Sequence, residues 1–174
     1  MHYLSTRNNK LNESFLTILF QGLSKEGGLF LPSTWPSISV EKLQGKTYEE
    51  IAHTVIYPFI KNDISDDELS LIINKTYKKF DNEKIAPLVQ IDKNKYILEL
   101  FYGPTFAFKD YALQFLGNLF SYVMQNLNKN ITVLGATSGD TGSAAIDAFK
   151  GKKDINVFIL HPYNMVSDVQ RRQM

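Results

Sequence analysis

Two short stretches carry residue types spaced for chemistry. The first is Gly103-Pro104-Thr105-Phe106-Ala107-Phe108-Lys109-Asp110, where the aromatics Phe106, Phe108 and Tyr111 bracket one lysine. Apolar surroundings raise the cost of an ammonium and favour the neutral amine, the nucleophile that forms a Schiff base with a carbonyl cofactor. The residues also admit a second reading, in which the Lys109 stem lies on the aromatics while its head stays in water; this is the commoner behaviour of a lysine, and spacing alone does not reverse it. The second stretch is Gly135-Ala136-Thr137-Ser138-Gly139-Asp140-Thr141-Gly142-Ser143-Ala144. Glycines let backbone approach a ligand closely, and amides at a helix start point at whatever anion sits there, so the loop suits a carboxylate or phosphate. Spacing equally allows a glycine-eased turn with Asp140 or Thr141 as N-cap. Nucleotide loops are disfavoured: Gly-x-Gly-x-x-Gly is absent, no lysine follows the glycines, and the next strand ends in His161-Pro162 with no acidic residue for a ribose.

The elements that must position these stretches are legible as periodicity. An apolar strand at Tyr96 to Phe101 is broken by Gly103-Pro104, since proline lacks a ladder donor and biases its predecessor away from helix. Apolar residues at Phe108, Tyr111, Ala112, Phe115, Leu116, Leu119, Phe120, Val123, Met124 and Leu127 then predict a long helix with one wide buried face. Lys109 falls in its first turn, where the helix dipole disfavours a cation by about 0.3–1 kcal/mol at an exposed site. Strands at Leu88 to Ile91, Ile131 to Leu134 and Ile155 to Leu160, with a helix from about Thr141 to Phe149, complete an alternation that argues for a parallel sheet covered by helices.

Upstream, Leu4 to Asn9 is rich in turn formers, and Leu11, Phe15, Ile18 and Leu19 share helical spacing ending at Gly22. Gly27 to Pro32 reads as a glycine turn and a short extended piece. Thr47 with Glu50 and Ser65 with Glu68 are capping boxes opening two amphipathic packing helices. His53 reads as a helix-surface or packing histidine, Asp66-Asp67-Glu68 as a helix start. The polar break from Asp81 to Pro87 places a boundary between a mostly helical amino-terminal domain, 1–85, and a second domain, 86–174.

Composition narrows the function classes. The 174 residues are 44% hydrophobic and 21% charged, as in ordinary globular proteins. A net charge of +1, from 19 basic against 18 acidic residues, gives no field for nucleic acid or an anionic membrane. Absence of cysteine excludes disulfides and thiolate zinc sites, while His2, His53 and His161 share no ligand spacing with carboxylates, so no metal is expected. The apolar run Phe15 to Phe20 is too short for a span and lacks signal-peptide flanks, which makes the cytoplasm the expected location.

The segment Leu98 to Asp110 resembles the cofactor-lysine signature of threonine synthases, fold type II pyridoxal-phosphate enzymes, with Tyr102 where the family usually has histidine. Ser5-Thr6-Arg7 followed by Gln21 to Pro32 resembles the family's amino-terminal domain; Arg7 is expected on the surface or in domain packing. Ala136 to Gly142 is similar to the family's loop for the substrate carboxylate, with aspartate at position 140 as is usual for threonine synthases. The resemblance implies an α/β fold whose second domain is the first part of a parallel-sheet, pyridoxal 5'-phosphate-dependent catalytic domain. It implies that Lys109 carries the cofactor as an internal aldimine and then serves as general acid and base, and that O-phospho-L-homoserine and water become L-threonine and phosphate. Thr137, Ser138, Gly139, Asp140 and Thr141 become the substrate-binding set, with Ser138 and Thr141 the better ligands and Asp140 turned away from a like charge. The alternatives are another fold type II activity, such as a serine or threonine dehydratase, and a non-catalytic phospho-ligand-binding relative. The family's phosphate-cradling Gly-Asn-Phe-Gly and its hydroxyl partner of the pyridine nitrogen occur nowhere in the 174 residues. The chain is therefore expected to be an amino-terminal portion, incomplete as a catalyst, with weak cofactor hold and an open sheet edge.

Overall fold

Thr6 and Arg7 reverse the chain almost at once: β1 (Tyr3–Ser5) pairs antiparallel with β2 (Asn8–Glu13) on one side and with β3 (Phe30–Pro32) on the other, in the order β2-β1-β3. The computed structural model describes residues 1–137 and 139–174. They divide into two units, Met1–Leu71 and Ile72–Met174.

In the first unit the helix expected from Leu11 onward is α1 (Phe15–Gln21), and Leu11 lies in β2. Leu11 shares helical spacing with Phe15, but Ser14 intervenes as N-cap, its hydroxyl accepting from the Thr17 amide. A local cap thus overrides a periodic coincidence. Gly22 ends α1 at φ 68°. Both capping boxes form. Thr47 and Glu50 open α2 (Tyr48–Ile60), and at α3 (Asp66–Tyr77) the Ser65 amide donates to Glu68 Oε2 at 2.7 Å while the Glu68 amide reaches Ser65 Oγ at 3.4 Å. Arg7 is exposed and donates to the Glu26 carbonyl at 2.9 Å, the surface role expected of it. His53 stacks on Tyr57 and faces Asp66 at 3.4 Å, as a packing residue does.

In the second unit β4 (Leu88–Asp92) and β5 (Lys95–Leu98) form an antiparallel hairpin. The two-residue connection Lys93-Asn94 dictates this, because parallel strands need a long crossover. Parallel pairing is found between β6 (Ile131–Ala136) and β7 (Ile155–Leu160), with α5 (Asp140–Phe149) as the crossover. Their register runs from Ile131↔Ile155 to Ala136↔Leu160, so both strands end level, and Thr137 N extends the ladder to Leu160 O at 2.9 Å. A short helix, α6 (Asp168–Gln173), follows; nothing in the periodicity marks it, but Ser167 caps it.

The long helix is α4 (Asp110–Leu127), packed on α5. Its second half buries Leu119, Phe120, Val123 and Met124, α5 buries Ala144, Ala145, Ala148 and Phe149, and the Phe120 and Phe149 rings stack between the two helices at 6.0 Å. Its first half buries polar side chains instead: Asp110, Gln114 and Asn118, one helical turn apart, are each at most 5% exposed. These are satisfied groups, as buried polar groups must be. Gln114 Nε2 donates to Asp147 at 2.6 Å and its Oε1 accepts from Lys79 at 3.2 Å, while Asn118 donates to Thr76 Oγ1 at 3.1 Å and accepts from Lys152 at 2.8 Å. The helices approach closely at Gly117, where an added Cβ would lie 2.5 Å from the Ala148 carbonyl oxygen. Backbone cannot yield as a side-chain tip can, so Gly117→Ala is expected to destabilise by about 2 kcal/mol despite alanine's better helix propensity. Urea unfolding measures this, and an unchanged midpoint contradicts the packing described.

Lys152 is half-buried with Lys75 and Lys79 nearby; burial first, then those two charges, lowers its pKa from 10.5 to about 8, against an opposing pull from Asp147. The unfolded chain therefore binds more protons than the folded one between these values. Stability is reduced in full below pH 8 and recovers as pH rises from about 8 to 10.5. After discounting for solvent screening of a half-exposed group, the recovery is about 1–2 kcal/mol. Lys152→Met should flatten the stability profile across that window; an equal slope in both proteins would contradict the assignment.

Candidate active site

β5 ends at Leu98, earlier than the apolar run, and the Glu99 amide adds one more rung to Pro87 O at 3.0 Å. The chain then enters the turn demanded by Gly103-Pro104. The Phe106 amide donates back to Gly103 O at 3.1 Å, which puts Phe106 at φ 61°, with its ring 67% exposed. Lys109 is the N-cap of α4, with helical φ and ψ and no capping side-chain bond, since its side chain offers only donors. Its Nζ lies 4.5 Å from the centroid of the Phe108 ring, itself 58% exposed. Among the described residues no carboxylate or carbonyl oxygen is bonded to Lys109 Nζ; its neighbour is the Phe108 ring.

Sequence reasoning gave Asp110 no role. It is 0% exposed and turns back onto the loop: the Thr105 amide donates to Oδ2 and the Thr105 hydroxyl to Oδ1, both at 2.8 Å. Burial pushes its carboxyl above the ordinary value, opposed by the Thr105 hydrogen bonds. Gly103 packs directly on that carboxylate; an added Cβ would stand 2.5 Å from Asp110 Cβ and Oδ2. The spacing Gly-x-Thr-x-x-x-x-Asp could have signalled this, because an aspartate at a helix start commonly binds nearby backbone amides. Tyr102 donates to Glu99 Oε2 at 2.7 Å, and that hydrogen bond raises its phenol above the ordinary value.

The glycine loop lies between β6 and α5, at the carboxyl end of the parallel pair, where open α/β sheets place their ligands. Its N-cap is Gly139, with extended φ of −177°, so neither Asp140 nor Thr141 caps the helix. Gly139 has the non-helical backbone a cap needs and leaves the following amides uncovered by a side chain. The Gly142 amide is used by Gly139 O at 2.8 Å; those of Asp140 and Thr141 have no backbone acceptor among the described residues. The Asp140 and Thr141 side chains are exposed, and Thr137 Oγ1 accepts from the Gly139 amide at 3.4 Å. Ser138 lies outside the described residues. Gln170 of α6 covers Gly139, and Met174, just past the end of α6, approaches Gly142. Among the described residues no hydrogen bond or ion pair joins Lys109 to the glycine loop; what links their helices is the packing of α4 on α5.

Among the described residues no three His, Cys, Asp or Glu side chains are grouped to hold a metal ion, and no helix is long and apolar enough to cross a membrane. A lysine at one helix start and a glycine loop at the next thus stand in an α/β unit whose parallel strands end beside the loop, the place where open α/β sheets take their ligands.

Residues 2–77 match the family described as threonine synthase N terminus. The chain is 43% identical to a threonine synthase of Pseudomonas aeruginosa over 100% of its own length and 38% of that protein, and 46% identical to one of Schizosaccharomyces pombe over 99% and 36%. The solved structure of a pyridoxal-phosphate-bound threonine synthase from Brucella melitensis superposes on the whole chain with a TM-score of 0.94 at 42% identity, and is 38% covered by it. Along its full length the chain is thus a relative of the amino-terminal part of the threonine synthases. It spans just over a third of the length of the relatives it matches.

Proposed function

We propose that this chain forms the amino-terminal part of a threonine synthase that uses pyridoxal 5'-phosphate to convert O-phospho-L-homoserine and water into L-threonine and phosphate in the cytoplasm. The observation that carries the reading is the Lys109 amine, half-buried and without an anionic partner among the described residues, on a turn fixed by Asp110. A primary amine so presented fits a carbonyl cofactor, and the Brucella melitensis relative is described as bound to that cofactor.

In this reading Lys109 Nζ would hold the cofactor, a primary amine being suited to its carbonyl group. The Lys109 amine, when free, would take and return protons as general base and acid. The bound cofactor supplies an electron sink for charge developing on the substrate. Ser138 and Thr141 receive the substrate carboxylate with the Asp140 and Thr141 amides, Gly139 admits it to the backbone, Thr137 supports the loop, and Asp140 points away. A carboxylate there also meets the positive end of the α5 dipole.

Phosphate release from O-phosphohomoserine by the complete enzyme tests the reading and separates it from a serine or threonine dehydratase, which spares that substrate, and from a binding relative, which shows no turnover. Ser138→Ala and Thr141→Ala should each raise KM about tenfold, as loss of one charge-assisted hydrogen bond does, while the cofactor's absorbance stays as in the parent. Loss of that absorbance would assign them to the cofactor instead.

A further inference from the structure

The turn before Lys109 is more tightly held than the display of a lysine requires. Asp110 opens α4, where an exposed anion would already complement the helix dipole. It is instead fully buried and spends both carboxylate oxygens on one residue, Thr105, five positions back. Gly103 closes against it with no room for a methyl group. Phe106 keeps φ at 61° although its ring is largely exposed. A bulky residue seldom adopts that conformation, and it persists where the surroundings over-determine it, often at a functional site. The carbonyl of Ala107, 9% exposed, accepts from the Asp110 amide at 3.0 Å and closes the segment from its far side. Only Ala107, Phe108 and Lys109 lie between the held turn and the residue that holds it.

We propose that Asp110 is a positioning residue for Lys109: by accepting both Thr105 donors it locks the Gly103–Phe106 turn onto the first turn of α4 and fixes the direction in which the Lys109 amine is presented. The proposal rests on the reading of Lys109 given above. Asp110→Asn can keep both links, with its oxygen accepting from the Thr105 amide and its NH2 donating to the Thr105 hydroxyl, which accepts as readily as it donates. Thr105→Ser also keeps both. Thr105→Val removes one, and Asp110→Ala removes both.

Two readouts on the complete enzyme, well below its unfolding temperature, separate positioning from stability. One is the rate at which cofactor-free protein captures pyridoxal phosphate. The other is labelling of Lys109 by limiting acetic anhydride, with exposed Lys93 as internal standard. Thr105→Val and Asp110→Ala should slow capture by about tenfold or more, since small misplacements of a reacting group cost that much, and should change the Lys109 to Lys93 labelling ratio by about threefold or more. Thr105→Ser and Asp110→Asn should stay within about threefold of the parent in both. If Asp110→Ala fails to fold, Thr105→Val decides. A folded Thr105→Val that captures and labels as the parent does would overturn the proposal, as would Asp110→Asn behaving like Asp110→Ala. If the parent itself attaches no cofactor to Lys109, the functional reading falls, and the labelling ratios alone judge the positioning role.

Discussion

Lys109→Ala in the complete enzyme is expected to lower kcat for phosphate release by about 10³-fold or more while leaving the fold intact. The magnitude follows from two losses at one position: the covalent hold on the cofactor and the proton transfer that a positioned amine contributes, itself about 10²–10⁴-fold. The fold should survive because Lys109 makes no buried hydrogen bond or ion pair among the described residues and its Nζ lies over the ring of Phe108, itself largely exposed. Replacing such a side chain changes stability by about 0.5 kcal/mol or less. Lys109→Arg should be as inactive as the alanine variant, because a guanidinium stays protonated and cannot act as the nucleophile. Steady-state assay beside urea unfolding checks both halves. A variant with substantial turnover removes Lys109 from the chemistry, and one that unfolds makes it structural.

The second large effect is expected at Gly103. Its backbone angle is not the constraint, since it lies outside the positive-φ glycines. The constraint is contact: a Cβ would overlap Asp110 Cβ and Oδ2, both at 2.5 Å, and Asp110 is fixed by burial and by two hydrogen bonds. Gly103→Ala must therefore either push the turn outward or expel a buried carboxylate from its donors. Overpacking together with a lost buried hydrogen bond places the cost at about 3 kcal/mol. Thermal unfolding and cofactor capture should both suffer. A Gly103→Ala protein as stable as the parent would show that the turn accommodates the methyl group and is not clamped.

Much of the architecture follows from short-range signals that tertiary contacts reinforce. The two hydroxyl-x-x-carboxylate boxes, the glycine ending α1 and the alternation from β6 to β7 appear in the structure because local hydrogen bonding and hydrophobic periodicity agree there. The amino-terminal sheet was less legible. β1 and β3 are three residues each, and β2 is a polar strand, Asn-Asn-Lys-Leu-Asn-Glu, without alternation. Such strands are specified by their partners, not by their own pattern.

The candidate site divides along the same line. Lys109 and the glycine loop stand out by residue type and by resemblance. The polar seam of α4, from Asp110 through Gln114 and Asn118, did not, because counting apolar positions overlooks side chains buried for their hydrogen bonds. The partners of that seam, Thr76, Lys79, Asp147 and Lys152, are 33 to 42 positions from the α4 residues they bind, and no local pattern announces them.

Whether Lys109 holds the cofactor is read directly from where a reduced adduct forms. The complete enzyme, supplied with pyridoxal phosphate, is reduced with borohydride, digested and mapped by mass spectrometry. One dominant pyridoxyl adduct is expected, on the peptide containing Phe108-Lys109-Asp110, with Lys152 unlabelled despite its lowered pKa. A dominant adduct on Lys152 or any other lysine, or none with the cofactor present, would contradict it.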